Sequence, residues 1–117
     1  MIRIITTLPV AKYLLELVRV LYEKGYSGFE KGYSGFEDSA NRYVEELVAN
    51  IYANLPSKMK KPAPPYFDRY GRDLMYAAFR RNKTTQWYVF FQVFREKGNI
   101  AYLIRYIDNN HRIARLL

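Results

Sequence analysis

Three residues near the end of the chain have side chains suited to proton transfer and phosphate binding. His111 is the only histidine of the 117 residues, and an imidazole with an ordinary pKa of about 6.5 can exchange a proton near neutral pH. Arg112 follows it, and Arg105 lies on the predicted last strand, where a guanidinium can hold a phosphate. His111, Arg112 and Arg105 are therefore the candidate catalytic residues. The alternatives are a capping or surface histidine, and arginines that form ion pairs or face solvent.

A second group of cations lies at the tip of a predicted hairpin. Arg80, Arg81 and Lys83 form the densest cationic cluster at a predicted hairpin tip. Hairpin tips project from a sheet, so these side chains are candidates for RNA or phosphate binding. Paired carboxylates at Asp68 and Asp73 are better explained by ion pairs with neighbouring arginines than by acid–base catalysis.

The excess positive charge is confined to the second half of the chain. Residues 1–57 carry 6 basic and 7 acidic side chains, whereas residues 58–117 carry 13 basic and 4 acidic ones, a net charge of +9. The second half also holds 12 of the 20 aromatic residues. Cations for phosphates and rings for bases are what single-stranded nucleic acid binding requires. The alternatives are an acidic protein partner, or a solvated basic face over an aromatic core.

Composition excludes several classes of site. The chain contains no cysteine, so thiol nucleophiles, disulfides and thiolate-bound zinc or iron–sulfur clusters are excluded. A single histidine argues against a multi-histidine metal centre, so we expect neither metal nor cofactor. Charged residues interrupt every apolar stretch well before about 20 residues, so no membrane span is expected. The first residues lack the pattern of a secretory signal, which predicts a cytoplasmic protein.

Two amphipathic helices are predicted in the first half of a single domain over 1–117. Apolar residues recur at helical spacing over 9–24 and again over 38–54, with charged residues between them. Gly25 ends the first helix and Pro56 ends the second. Together they form a predicted helical hairpin over 9–54, preceded by a short strand at 2–6.

The loop of this hairpin contains an exact duplication. The heptapeptide EKGYSGF at 23–29 is repeated at 30–36. Its four glycines would each cost about 1 kcal/mol inside a helix, so 23–36 is predicted to be a duplicated loop. The repeat is either a replication slip or an engineered insertion, and the sequence does not distinguish them.

The second half is predicted to be mostly β-structure. A basic, proline-rich linker at 56–65 leads to a three-stranded antiparallel meander over 74–107, and a basic tail follows at 108–117. The strands are predicted at 74–80, 86–95 and 100–107, because these segments are rich in β-branched and aromatic residues and are joined by short turns. The fold class is therefore α+β: a strand, a helical hairpin and a meander.

This order of elements resembles the RelE/ParE superfamily, the toxins of bacterial type II toxin–antitoxin modules. The likeness is most specific in the last third, in the paired segments YVFFQV at 88–93 and AYLIRYI at 101–107 and in the basic exit at His111 and Arg112. Family members often carry an arginine early in the penultimate strand, where this chain has Trp87 and Tyr88.

The resemblance implies two activities. RelE-type members cleave messenger RNA on the ribosome without metal, using the ribose 2′-hydroxyl as nucleophile, and thereby block translation. ParE-type members inhibit DNA gyrase as binding proteins. Either kind is held inactive by a cognate antitoxin, here expected to be acidic. An RNA endonuclease is the leading expectation, a gyrase or protein inhibitor is the alternative, and a small RNA-binding module that does not cut is the third.

Overall fold

The computed structural model describes residues 1–24 and 37–117, and the side chains of residues 1–20 and 40–117. Most of the predicted duplicated loop at 23–36 lies outside the described residues. The described elements run in the order β1 (Ile2–Thr6), α1 (Leu8–Lys24), α2 (Glu37–Asn54), β2 (Lys61–Pro62), β3 (Met75–Arg80), β4 (Gln86–Glu96), β5 (Asn99–Asn109) and α3 (Asn110–Ile113). Short 3₁₀ segments lie at Leu55–Ser57, Pro65–Tyr70 and Ala114–Leu116. The α+β class is confirmed.

The described strands form one mixed sheet in the order β1-β5-β4-β3-β2. β3, β4 and β5 are antiparallel neighbours, whereas β1 joins the outer side of β5 in parallel. The β4–β5 connection is a two-residue turn in which Lys97 (φ 48°) and Gly98 (φ 83°) both have positive φ. Such backbone angles match the twist of the flanking strands, which explains why a glycine stands there.

One face of the sheet, the helix face, packs against α1 and α2. Alternate residues of β4 point to it, so that Trp87, Val89 and Phe91 are completely buried. Leu47 and Ile51 of α2 pack against the same cluster. The indole N–H of Trp87 donates to the Tyr43 hydroxyl at 3.1 Å, which satisfies the two buried polar atoms.

The opposite face, the tail face, is covered in its middle by the end of the chain. Phe67 of the Pro65–Tyr70 segment and Ile113 of α3 pack on Phe90, and all three are buried. Phe67 and Phe90 are stacked with ring centroids 4.3 Å apart. Because this cover is only two short segments, the tail face stays open toward β3 on one side and β1 on the other.

Two details of the predicted order are corrected by the structure. The predicted loop at 56–65 contributes β2, a two-residue strand that pairs with β3 at the edge, the position in a sheet where proline is tolerated. The predicted basic tail at 108–117 begins inside β5, where Asp108 and Asn109 are buried, and continues as α3. Along the described segments, no helix is long and apolar enough to cross a membrane.

Candidate nucleic-acid interface

The segment that carries His111 is fixed to the sheet by two asparagine side chains. Asn109 caps α3, its side chain accepting from the His111 backbone N–H at 2.9 Å. The Asn110 side chain accepts from the Gln86 N–H at 2.8 Å and donates to the Thr84 carbonyl at 3.0 Å. The Asn-Asn-His sequence therefore anchors α3 against the loop that joins β3 and β4.

His111 and Arg112 share one open pocket. Its lining residues, here called the C-terminal pocket, are Asn110, His111, Arg112, Ala114 and Arg115, and its volume is about 320 Å³. His111 is exposed, and its Nε2 lies 3.3 Å from the hydroxyl of the buried Thr85. The pocket thus presents an imidazole and two guanidinium groups side by side to solvent.

A buried carboxylate holds Arg112. Oδ2 of Asp108 accepts from Arg112 Nε at 3.1 Å and from the Tyr106 hydroxyl at 2.6 Å, while Oδ1 accepts from the Asn109 N–H at 2.9 Å. The Asp108 side chain is 3% exposed, whereas that of Arg112 is 69% exposed. The carboxylate raises the pKa of Arg112, and it fixes one edge of the guanidinium while the rest remains exposed.

Tyr106 is unsuited to donating a proton from this site. Burial first, and then the hydrogen bond to Asp108, raise the pKa of Tyr106 far above its ordinary range. Its ring is also stacked on Tyr70, with centroids 3.9 Å apart and an interplanar angle of 6°. Tyr106 therefore acts as a support for Asp108 inside the tail face.

Arg105 has different contacts from the other two candidate catalytic residues. The β4–β5 register passes from the Phe90–Tyr106 pair to the Phe91–Ile104 pair, so Arg105 is the extra residue of a bulge. Its Nε donates to the Tyr70 carbonyl at 2.9 Å. Arg105 does not line the C-terminal pocket that His111 and Arg112 share. The structure thus brings His111 and Arg112 together in that pocket and holds Arg105 at the Tyr70 carbonyl of the tail face.

The three cations of the hairpin tip also have different surroundings. Arg80 folds back over the turn and donates to the carbonyls of Asn82 at 3.2 Å and Lys83 at 3.3 Å. Arg81 pairs with Glu46 of α2 at 2.8 Å and lies over the Tyr43 ring, 4.5 Å from its centroid. Arg81 is thus engaged on the helix face, whereas Arg80 and Lys83 are exposed beside the tail face.

Sequence reasoning missed two tyrosines beside these cations. Tyr76 and Tyr88 lie on the tail face of β3 and β4, with ring centroids 6.1 Å apart. They line a pocket of about 420 Å³ together with Lys58 and Lys61. An adjoining pocket of about 240 Å³ is lined by Tyr88, Arg80, Lys83 and others. We call these two pockets together the tyrosine groove. Period-two alternation along 74–80 and 86–95 was the signal that could have placed both rings on one face.

The groove and the C-terminal pocket are adjacent. Asn110 and Ala114 line both the smaller part of the groove and the C-terminal pocket. Among the residues that the structure describes, no acidic side chain lines either site, and no group of three histidine, aspartate or glutamate side chains is placed to hold a metal. The result is a basic track with tyrosines at one end and His111 at the other.

Comparisons of the chain with protein-family models, with curated proteins and with solved structures found no match. The functional argument therefore stands on the geometry of the track. That geometry combines exposed cations, two partly buried tyrosine rings and one imidazole next to a fixed guanidinium.

Proposed function

We propose that this protein cleaves RNA without a metal and acts as the toxin of a toxin–antitoxin module, as its resemblance to the RelE/ParE superfamily implies. The observation that carries the proposal is the C-terminal pocket. His111 and Arg112 lie side by side and exposed there, at the end of a track lined by cations. This arrangement has the two groups that attack by a ribose 2′-hydroxyl requires.

In the proposed reaction, His111 and Arg112 have different roles. His111 accepts the proton of the 2′-hydroxyl as its oxygen bonds to phosphorus, and Arg112 stabilises the negative charge that develops on the phosphoryl oxygens. The bond from phosphorus to the 5′-oxygen breaks, that oxygen takes a proton from water, and the hydroxide so formed takes back the proton held by His111. The products are a 2′,3′-cyclic phosphate and a 5′-hydroxyl. Arg105, on the other part of the tail face, is assigned to RNA binding away from the scissile phosphate.

The proposed partners follow from the charge of the second half. A net charge of +9 over residues 58–117 suits RNA, alone or on the ribosome. An acidic antitoxin that covers the same basic surface would keep the toxin inactive by charge complementarity. Both partners belong in the cytoplasm.

A specific observation favours a second candidate, a protein inhibitor such as one directed at gyrase. A groove of about 750 Å³ between α1 and α2 is lined mainly by apolar residues, including Leu14, Leu15 and Val48. Leu15 is 75% exposed. An apolar groove between helices is a common mode of protein recognition.

The test is induced expression in bacteria with three readouts: translation, RNA integrity and plasmid supercoiling. We expect His111→Ala to lower RNA cleavage by about 10²- to 10⁴-fold and to relieve growth arrest, because it removes the acid–base group. Arg95→Ala, which removes an exposed cation at the far end of β4, is the matched control and should remain active. Unchanged toxicity of His111→Ala with intact RNA and altered supercoiling would favour the inhibitor, and tight binding of uncut RNA would favour a binding module.

A further inference from the structure

We propose that the tyrosine groove binds an unpaired nucleic-acid strand, with bases stacked on Tyr76 and Tyr88 and phosphates held by the flanking cations. The inference rests on the proposed function for its choice of RNA as ligand. It adds the substrate class: a single strand in place of a duplex. It also assigns a role to two residues outside the proposed catalytic pocket.

The two rings form a platform that exists before any ligand binds. Tyr76 is stacked on the buried Phe90, with centroids 5.4 Å apart and an interplanar angle of 28°. The hydroxyl of Tyr88 accepts from the side-chain amide of Gln86 at 3.1 Å. Both rings are only partly buried. Because their positions are already set, stacking a base on them requires little further ordering of the protein.

Cations flank the platform on both sides along β3. Lys61 of β2 is directly opposite Tyr76 in the register and lines the larger part of the groove, whereas the ammonium of Lys58 lies over the Phe79 ring of the helix face. At the other end, Arg80 and Lys83 line the pocket that also contains Tyr88. A backbone that crosses the groove therefore meets positive charge before and after the rings, the arrangement expected of single-strand binding.

The groove leads to the proposed site of cleavage. Gln86 and Tyr88 line both parts of the groove, and Asn110 and Ala114 connect its smaller part to the C-terminal pocket of His111. A strand that enters over Tyr76 is thus directed past Lys83 toward Arg112. Duplex RNA conceals the faces of its bases inside the stack, so it offers nothing to the tyrosines.

The experiment measures binding with ligands that cannot be cut. A fluorescent RNA oligonucleotide of mixed sequence, methylated at every 2′-oxygen, is titrated with the full chain as a single strand and as a duplex. Tyr88→Ala and Tyr76→Ala are each expected to weaken single-strand binding by about 5- to 150-fold, the range typical of losing one stacked base. Tyr88→Phe, which keeps the ring, should bind within about threefold of the unaltered protein. Tyr52→Ala, at an exposed tyrosine of α2, is the control.

Two surface lysines provide variants that test the groove without altering the packing of the aromatic residues. Lys61→Ala and Lys83→Ala should each reduce the slope of log affinity against log salt by about 0.7, the value for one phosphate contact on a single strand. Should the alanine variants of the tyrosines fail to fold, these two still test the groove. The proposal is overturned if the tyrosine variants bind normally, if the duplex binds as tightly as the single strand, or if polyglutamate displaces the RNA more readily than unlabelled RNA does.

The same assays separate this inference from the proposed function. Loss of binding in the tyrosine variants, with no cleavage of unmodified RNA by the unaltered protein, would establish the groove and reject the nuclease. Cleavage of unmodified RNA that persists unchanged in the tyrosine variants would reject the groove and leave the nuclease standing.

Discussion

The Tyr106 hydroxyl donates a 2.6 Å hydrogen bond to Oδ2 of Asp108, the oxygen that also accepts from Arg112 Nε. Asp108 is buried in β5, whereas Arg112 lies on α3 with its side chain exposed. A buried carboxylate is costly unless it is paired and fully hydrogen-bonded, and here all its contacts are supplied by neighbouring residues. The carboxylate therefore couples the interior of the tail face to the position of the candidate catalytic pocket.

Loss of the Asp108 charge should destabilise the fold. We expect Asp108→Asn to lower the free energy of unfolding by about 1–3 kcal/mol, because a neutral amide loses the charge-assisted bond to Arg112 and, with its oxygen toward Tyr106 and Arg112, would turn its NH2 group toward the Asn109 N–H, which needs an acceptor. Urea denaturation measures the change. Asp68→Asn, at an exposed position, is the control and should change stability by less than about 0.5 kcal/mol. Equal effects in the two variants would contradict the structural role of Asp108.

The raised pKa of Tyr106 predicts a loss of stability at alkaline pH. Because the folded state holds this proton more tightly than the unfolded state, the contribution is complete below about pH 10, the ordinary tyrosine value, and is lost as pH rises above it. Tyr106→Phe should therefore lose less stability between about pH 8 and about pH 11 than the unaltered protein does. Urea denaturation at both pH values tests this, and parallel losses in the two proteins would show that Tyr106 does not contribute.

Alanine variants of Arg81 and Lys83 should have different effects: the first mainly on stability, the second mainly on RNA affinity. Arg81 pairs with Glu46 and lies over Tyr43, so a double-mutant cycle of Arg81→Ala with Glu46→Ala should give a coupling of about 0.2–1 kcal/mol. Affinity for RNA should fall more in Lys83→Ala than in Arg81→Ala, because Lys83 faces the tyrosine groove. A larger loss of affinity in Arg81→Ala would mean that Arg81 also binds RNA, as the sequence predicted for all three cations of the hairpin tip.

Removing one copy of the repeat should leave the fold intact. Residues 30–36 can be deleted so that a single heptapeptide joins the same two helices, and a loop of half the length changes the closure entropy by only about 0.6 kcal/mol. Thermal and urea unfolding should therefore be nearly unchanged, as should RNA cleavage. A loss of more than about 3 kcal/mol would mean that the second copy packs against the fold.

Local patterns in the sequence were sufficient for the helices and for most of the strands. Helices predicted at 9–24 and 38–54 are found at Leu8–Lys24 and Glu37–Asn54, because apolar periodicity, glycine and proline act within a contiguous segment. The strands of the meander likewise begin within one residue of their predicted starts. β2 was missed, since two residues with a proline form a strand only because the edge of β3 is there to pair with.

The sequence by itself was enough to propose His111, Arg112 and the basic second half as candidates, but the surroundings of each charge were decided by tertiary structure. Arg81 and Lys83 are two residues apart, yet one meets α2 and the other the tyrosine groove. Tyr76 and Tyr88 become neighbours only when β3 and β4 pair in the observed register. The sequence gives the type of each side chain. Its partners depend on which face of a strand it occupies and on which residues from distant segments pack against that face.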